Sequence, residues 1–524
     1  MGRKKKGKLE IVPLRTGCVL GLDLGTDYSV IAELKAGGEP RTLVNAEGSE
    51  FTDSVANCKD ETSILIGSIA VNKARFEPEY TARRFKRQMG KVDSQGNPIP
   101  VLIHPDTGNA QTSVTLSSCV VRKLVQDAED LTGKEVSGVV ITVPAYFEEA
   151  ARLATKRAGE LAGVNVLQIA DEPTAAAVAF GLDKGEDGTF VIYDIGGGTC
   201  DVSIVGIEGD SITVIATDGD RDLGGGDIDD LILAKVTEQF QVETGITISP
   251  EKDLVTWYDV RERCERAKKD LSSAETASIM VAAEGKRLVI DLTREDFDVL
   301  IAPIVGKTKA IVERAMSAAK LKWSQINDVI LVGGSTRIPA IRKMLKDLSG
   351  KEPRIDIVPD HAVALGAAAI AAKVASDGGM QIVDANGQKV LPPPLEVTGV
   401  NAHSLGVLAV NSRTGHLRNV VLIEKNTPLP AEKEDTFQLE HENQSQAQIT
   451  VVQGEHEADP EDCMMLGEMV IRDLPPGPVD AGRIQIKYTL STEAILGVSA
   501  TDTISGQRVE ATIKRALELN DQQQ

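Results

Sequence analysis

Two stretches of the chain alternate apolar and polar positions on either side of a turn almost devoid of side chains. They are "VLGLDLGTDYSVIAEL", Val19–Leu34, and "FVIYDIGGGTCDVSIVGI", Phe190–Ile207. A period of two marks strands, so each stretch predicts a hairpin closed by a glycine turn. "VSGVVITVPAYF" reads as a buried strand running into a turn, and "EEAARLATKRAGELAG" then takes helical spacing and stops at Gly163. "DVRERCERAKKDLSS" and "FDVLIAPIVGKTKAIVERAMSAAK" predict further helices, and "DVILVGG" a further buried strand. Strands and helices alternate in this way up to about Lys373, which predicts an α/β domain.

After "ASDGG" the pattern changes. "MQIVDANGQKVLPPPLEVTG" has three consecutive prolines and no helical period, the character of a linker. From about Val400 to Ile513 there are short strand patterns with turn residues between them, among them "NVVLIEKNTPLP", "AQITVVQGE" and "RIQIKYTLST". Their spacing predicts a compact β-sandwich. The expected division is a basic tail at 1–15, an α/β domain at 16–377, a linker at 378–399, a sandwich at 400–513 and a tail at 514–524.

Composition narrows the function. A chain of 524 residues is too long for one ordinary core. A net charge of -21 argues against a broad nucleic-acid surface and against adsorption to anionic membranes. The six cysteines are scattered without a CxxC pair, so neither a disulfide framework nor a zinc site is expected. The start "MGRKKKGK" has no apolar core for a secretory signal, and the longest apolar run, from Ala362, is too short to span a bilayer. The expected compartment is the cytoplasm.

The glycine turns carry the chemistry. Backbone N–H groups left free in a tight turn form an anion-binding concavity, and glycine lets a phosphate come close. Asp23 and Asp194 sit where strand becomes turn, with Thr26, Thr199 and Asp201 just beyond. Carboxylates alone would repel a polyphosphate, so the pattern predicts magnesium between them, held largely through water by Asp23 and Asp194. A third glycine turn ends the strand in "VILVGGSTRIP". There is no GxxxxGK[ST] and no strand-then-GxGxxG unit, which excludes P-loop and Rossmann sites.

In order and spacing, "GLDLGTDYS", "ITVPAYF", "DEPTAAAVAFGL", "YDIGGGTCDVSI", "DLGGGDID", "CERAKKDLSS" and "ILVGGSTRIPAI" resemble the heat shock protein 70 family of DnaK-type chaperones, within the actin-like ATPases. "HSLGV", "IEKNTPLP", "ENQSQAQITVVQGE" and "LGVSATD" continue the resemblance through the second domain. It implies an actin-like, duplicated ribonuclease H-like ATPase domain followed by a substrate-binding sandwich, with ATP/ADP and Mg2+ as cofactors. Gly25, Thr26, Asp27 and Tyr28 would cradle phosphate opposite Gly197, Gly198 and Thr199. Lys86 matches the catalytic lysine, while Glu172 and Asp201 match carboxylates around magnesium and the attacking water. Glu265, Lys268, Lys269 and Ser272 would hold the adenosine, and Gly334, Ser335 and Arg337 would close over it. Pro144 and Arg152 match the relay between domains. Val407, Val410, Phe437, Ala447 and Ile449 are the candidates for a pocket that takes extended apolar polypeptide. J-domain proteins and nucleotide-exchange factors are the implied partners.

The chain departs from the family pattern at several points. Asp27 replaces a threonine, Asp171 an asparagine, and Gly226 an acidic residue. Gln168 replaces an arginine that contacts J-domain partners, and Glu440 stands where one arm of an arch over the peptide is expected. The linker is longer and carries prolines, and the resemblance leads to the expectation that the helical lid is absent. For Asp27, the favoured arrangement is an outer-shell contact to magnesium through water. Two other functions compete: a nucleotide-binding adaptor with weak ATPase, and a small-molecule kinase or filament protein of the same superfamily. The C-terminal sandwich argues against the last.

Overall fold

The computed structural model describes residues 16–355, 358–411, 415–455, 460–479 and 482–512, so the expected tails at 1–15 and 514–524 lie outside the described residues. The hairpin predicted at Val19–Leu34 is present as strands Thr16–Asp23 and Tyr28–Leu34. It sits in a sheet ordered Val166–Asp171, Val136–Val143, Thr16–Asp23, Tyr28–Leu34, Pro40–Thr42. The first three of these run parallel, and the last two pair antiparallel.

The second hairpin forms strands Gly188–Ile195 and Cys200–Glu208 of another sheet. Ser211–Asp220 extends it antiparallel on one side, and Asp328–Val332 lies parallel on the other. Each sheet therefore has three antiparallel strands in chain order, with parallel strands added beside the first of them. Both are rich in Val and Ile because apolar layers cover them on both faces.

Two alanine-rich helices, Glu172–Lys184 and Ala362–Asp377, pack between the sheets. Small side chains let them approach closely, and two glycines set the limit. A Cβ at Gly366 would stand 1.7 Å from the Ala175 carbonyl oxygen, and one at Gly21 would stand 2.0 Å from the Ala368 nitrogen. Among the described residues no helix is long and apolar enough to cross a membrane.

The segment expected to be a plain linker is more ordered than its pattern suggests. Gln381–Ile382 pairs parallel with Thr16–Gly17 of the first sheet, and Glu396–Thr398 pairs parallel with Ser211–Thr213 of the second. Edge pairing uses backbone groups and leaves no side-chain period to read.

Beyond it lie two four-stranded antiparallel sheets. One is ordered Leu417–Ile423, Leu405–Val410, Ala447–Gln453, Met464–Ile471, and the other Ala431–Phe437, Ile484–Leu490, Leu496–Asp502, Arg508–Thr512. They share one apolar core, and the buried Tyr488 hydroxyl donates to the Gly406 carbonyl at 2.7 Å, tying the sheets together. This β-sandwich rests on the α/β part through polar contacts. Lys425 pairs with Asp218 at 2.8 Å, the Thr217 N–H donates to Asn426 Oδ1 at 2.9 Å, and the His403 ring lies on Tyr146 with 4.2 Å between centroids.

Candidate functional site

A cavity of about 640 Å³ opens between the two sheets of the α/β part, where both glycine turns meet. The turns nearly touch: a Cβ at Gly198 would stand 2.5 Å from Thr26 Oγ1, and one at Gly197 would stand 1.9 Å from Asp27 Oδ2. Behind the second turn, the Gly225 and Gly226 N–H groups at the start of helix Gly225–Thr244 donate to the Gly196 and Gly197 carbonyls, at 2.9 and 2.8 Å. Arg87 donates to the Gly198 carbonyl at 3.0 Å. Ser54 holds the first turn, its hydroxyl donating to the Gly25 carbonyl and its N–H to the Asp27 carbonyl, each at 2.8 Å, so both turns are held from behind.

Three carboxylates and one ammonium occupy the floor, with the Asp201 carboxylate behind them. Lys86, from the short turn Phe85–Gln88, places its Nζ 2.6 Å from Glu172 Oε1, and both residues are buried. Glu172 is the first residue of its helix, with Pro173 next, where the missing N–H costs no helical hydrogen bond. Asp194 and Asp201 face each other across the second hairpin, and Asp201 accepts the Tyr146 N–H at 2.9 Å. Burial, and then Glu172 nearby, push Asp23 up to about 7 and Asp201 up to about 8. The same causes raise Asp194 well above the carboxylate range. Such crowding around one lysine suits a divalent cation, whose charge would relieve the repulsion. Among the described residues no cluster of three or more His, Cys, Asp or Glu is arranged to hold a metal ion directly.

Most of the predicted nucleotide residues converge here. Asp23, Gly25, Thr26, Asp27, Tyr28, Lys86, Glu172, Asp194, Gly197, Thr199, Glu265, Lys268, Lys269, Ser272, Gly334, Ser335 and Arg337 line the cavity. Gly198 and Asp201 stand behind it. The helix Leu254–Asp270 supplies Glu265, Lys268 and Lys269 at the spacing that puts them on one face. Lys269 pairs with Glu265 at 2.7 Å and lies 3.1 Å from the Tyr28 hydroxyl. Lys268 is already engaged by Asp229 at 2.7 Å and the Gly225 carbonyl at 2.9 Å. Arg337 pairs with Asp360, which sequence reasoning did not single out; Phe51 and Asp53 also line the wall unforeseen. Nothing in their local pattern marks them: Phe51 and Asp360 lie in irregular stretches, and Asp53 belongs to a strand of only two residues.

Arg84 was also unforeseen. Its guanidinium reaches Asp229 at 2.9 Å, Asp27 at 3.5 Å and Asp230 at 3.7 Å. Asp27, at the edge of the cavity, therefore faces a neighbouring guanidinium.

Near the sandwich, Arg152 donates to the Ala145 and Phe147 carbonyls and pairs with Asp171, so this departure from the family pattern is partnered. Pro144 immediately follows strand Val136–Val143. In the sandwich, Val407, Ala447 and Ile449 lie in the common core, with the half-buried Phe437 packed on it. Val410 is separate, 43% exposed at the end of its strand. Glu440 is exposed. Cys18, Cys58, Cys200 and Cys264 are buried thiols.

A family model described as "Hsp70 protein" matches residues 19–524. The chain is 34% identical to the "Chaperone protein dnaK" of Thalassiosira pseudonana, across 96% of this chain and 83% of that protein.

Proposed function

Because this chain belongs to the Hsp70 family of ATP-dependent molecular chaperones, we propose that the cavity between the two sheets is its ATPase site. The observation that carries this reading is the meeting of both glycine turns above the Lys86–Glu172 pair. The phosphates take the N–H groups of Gly25–Tyr28 on one side and of Gly197–Thr199 on the other, with the Thr199 hydroxyl beside them. Glu172 fixes the Lys86 ammonium, which orients the attacking water and meets charge developing on the γ-phosphate. Asp201, held by the Tyr146 N–H, stands behind as an acceptor toward that water. Asp23 and Asp194 would hold magnesium through its waters, and the ion when bound would supply charge neutralisation to the triphosphate. Glu265, Lys269 and Ser272 contact the adenosine. Lys268 shapes that wall from a fixed position, and Gly334, Ser335 and Arg337 close over the base with the guanidinium stacking on it.

In the same reading, residues 16–377 form an actin-like domain with two ribonuclease H-like halves, supported by the matching strand orders of the two sheets. Residues 400–513 form the domain that takes unfolded polypeptide, with Val410 and Phe437 as its accessible apolar contacts, and Val407, Ala447 and Ile449 as the floor beneath. Pro144 and Arg152 couple the two domains. A J-domain protein and a nucleotide-exchange factor are the proposed partners, and the cytoplasm the proposed compartment. ATP turnover measured with and without an unfolded apolar peptide is the test. Turnover that the peptide accelerates supports the reading, and absence of magnesium-dependent turnover refutes it.

A further inference from the structure

Asp27, Arg84 and Gly226 are far apart in sequence and form one unit in space. The Asp27 carboxylate lies between the two phosphate turns, against Gly197. Unpaired there, it would repel the polyphosphate that the turns are built to hold. Arg84 leaves the same short turn as Lys86, from a left-handed backbone with φ 54°. Lys86 goes to Glu172, and Arg84 goes to Asp27 and Asp229. Only 15% of the Arg84 side chain is exposed, so the guanidinium is committed to these carboxylates. Asp229 in turn holds Lys268, which gives a chain of alternating charge from the phosphate turn to the adenosine wall. Gly226 makes room for this. A Cβ there would stand 2.3 Å from the Arg84 guanidinium carbon, so any side chain would displace it.

We infer that Arg84 is the positioning residue that lets this phosphate turn carry Asp27, and that position 226 is glycine because the guanidinium occupies its side-chain space. The inference rests on the cavity being the nucleotide site. It adds that two departures from the family pattern, Asp27 and Gly226, are linked through Arg84. Arg84 acts on nucleotide through Asp27, by keeping that carboxylate neutralised beside the phosphates.

The test is a binding cycle with ATP and ADP in the presence of magnesium, followed by calorimetry, with circular dichroism as the check on folding. Arg84→Ala should weaken ATP binding at least about tenfold, and ADP binding less, because ATP brings more negative charge to the turn. Asp27→Thr added to Arg84→Ala should return ATP affinity to within about threefold of the unchanged protein. Gly226→Ala should match Arg84→Ala on its own and add nothing to it. If Arg84→Ala does not fold, Gly226→Ala compared with Asp27→Thr/Gly226→Ala reads the same coupling. A double variant as weak as Arg84→Ala would place the effect in Asp229 and Lys268 and overturn the inference. Full affinity in Arg84→Ala would overturn it as well. Failure of the unchanged protein to bind any nucleotide would remove both the ATPase-site reading and this inference, and is distinguishable from either result.

Discussion

Glu149 accepts the Leu496 N–H with both carboxylate oxygens, at 2.7 and 2.9 Å, and so joins the helix Glu149–Leu161 to a strand of the sandwich. Burial pushes this carboxyl up to about 7, with the Leu496 N–H and Arg152 drawing it back. When the two parts separate, Glu149 meets water and returns to the ordinary carboxylate range. Docking therefore takes up a proton. The contribution is fully present below that ordinary range and is lost as pH rises through about 7, with a span on the order of 3 kcal/mol. Energy transfer between dyes on the two parts should fall across this window, and Glu149→Gln should flatten the fall. An unchanged slope in Glu149→Gln would assign the titration to another group.

Lys86→Met should abolish single-turnover ATP hydrolysis and leave ATP affinity within about tenfold, or ~1.4 kcal/mol. The ammonium acts on charge that develops during reaction, so its loss falls on the chemical step. Removing one partner of a buried pair leaves Glu172 uncompensated, and stability without magnesium should drop by about 3–5 kcal/mol. Rapid-quench kinetics and thermal unfolding with and without magnesium separate the two effects.

Gly366→Ala should destabilise the α/β part by about 3 kcal/mol or more, because its Cβ has to push the Ala362–Asp377 helix off the Ala175 carbonyl. Differential scanning calorimetry is the measurement. A change in melting temperature of less than about 2 °C would mean that the helices separate freely.

Val410→Asp and Val407→Asp should part company. Val410 is exposed, so its variant should stay folded and lose at least about tenfold in affinity for a fluorescent apolar peptide. Val407 is buried in the common core, and a carboxylate there should unfold the sandwich. Equal peptide affinity in Val410→Asp would remove it from the binding surface.

The hairpins at Val19–Leu34 and Phe190–Ile207 were legible because alternation and glycine turns are local signals. The nucleotide residues were legible because each sits in a short, ordered motif. Arg84 was not legible. It stands in a basic run, "ARRFKR", that reads as a solvated face, and its partner Asp229 lies 145 positions away. The pairing of residues 381–382 and 396–398 with the two sheets was hidden for a different reason, since backbone hydrogen bonds at a sheet edge ask little of side chains. Val407 and Val410 stand three apart on one strand and so take opposite faces, and only the packing of the second sheet decides which face is covered.

The connector between the two parts also measures the angle between the sheets. One end is registered on the first sheet at Gln381–Ile382, and the other on the second sheet at Glu396–Thr398. Between them the Val390 N–H returns to the Ile382 carbonyl, so the free length is the run from Leu391 to Leu395, stiffened by three prolines with fixed φ. Both anchors lie at the strand ends remote from the glycine turns, and a rotation of one sheet against the other that draws Gly17 and Ser211 apart meets a run with almost no slack to give. Rotation beyond that slack has to peel one strand pair from its sheet. The segment thus behaves as a tether, converting the relative rotation of the two sheets into the presence or absence of a few backbone hydrogen bonds.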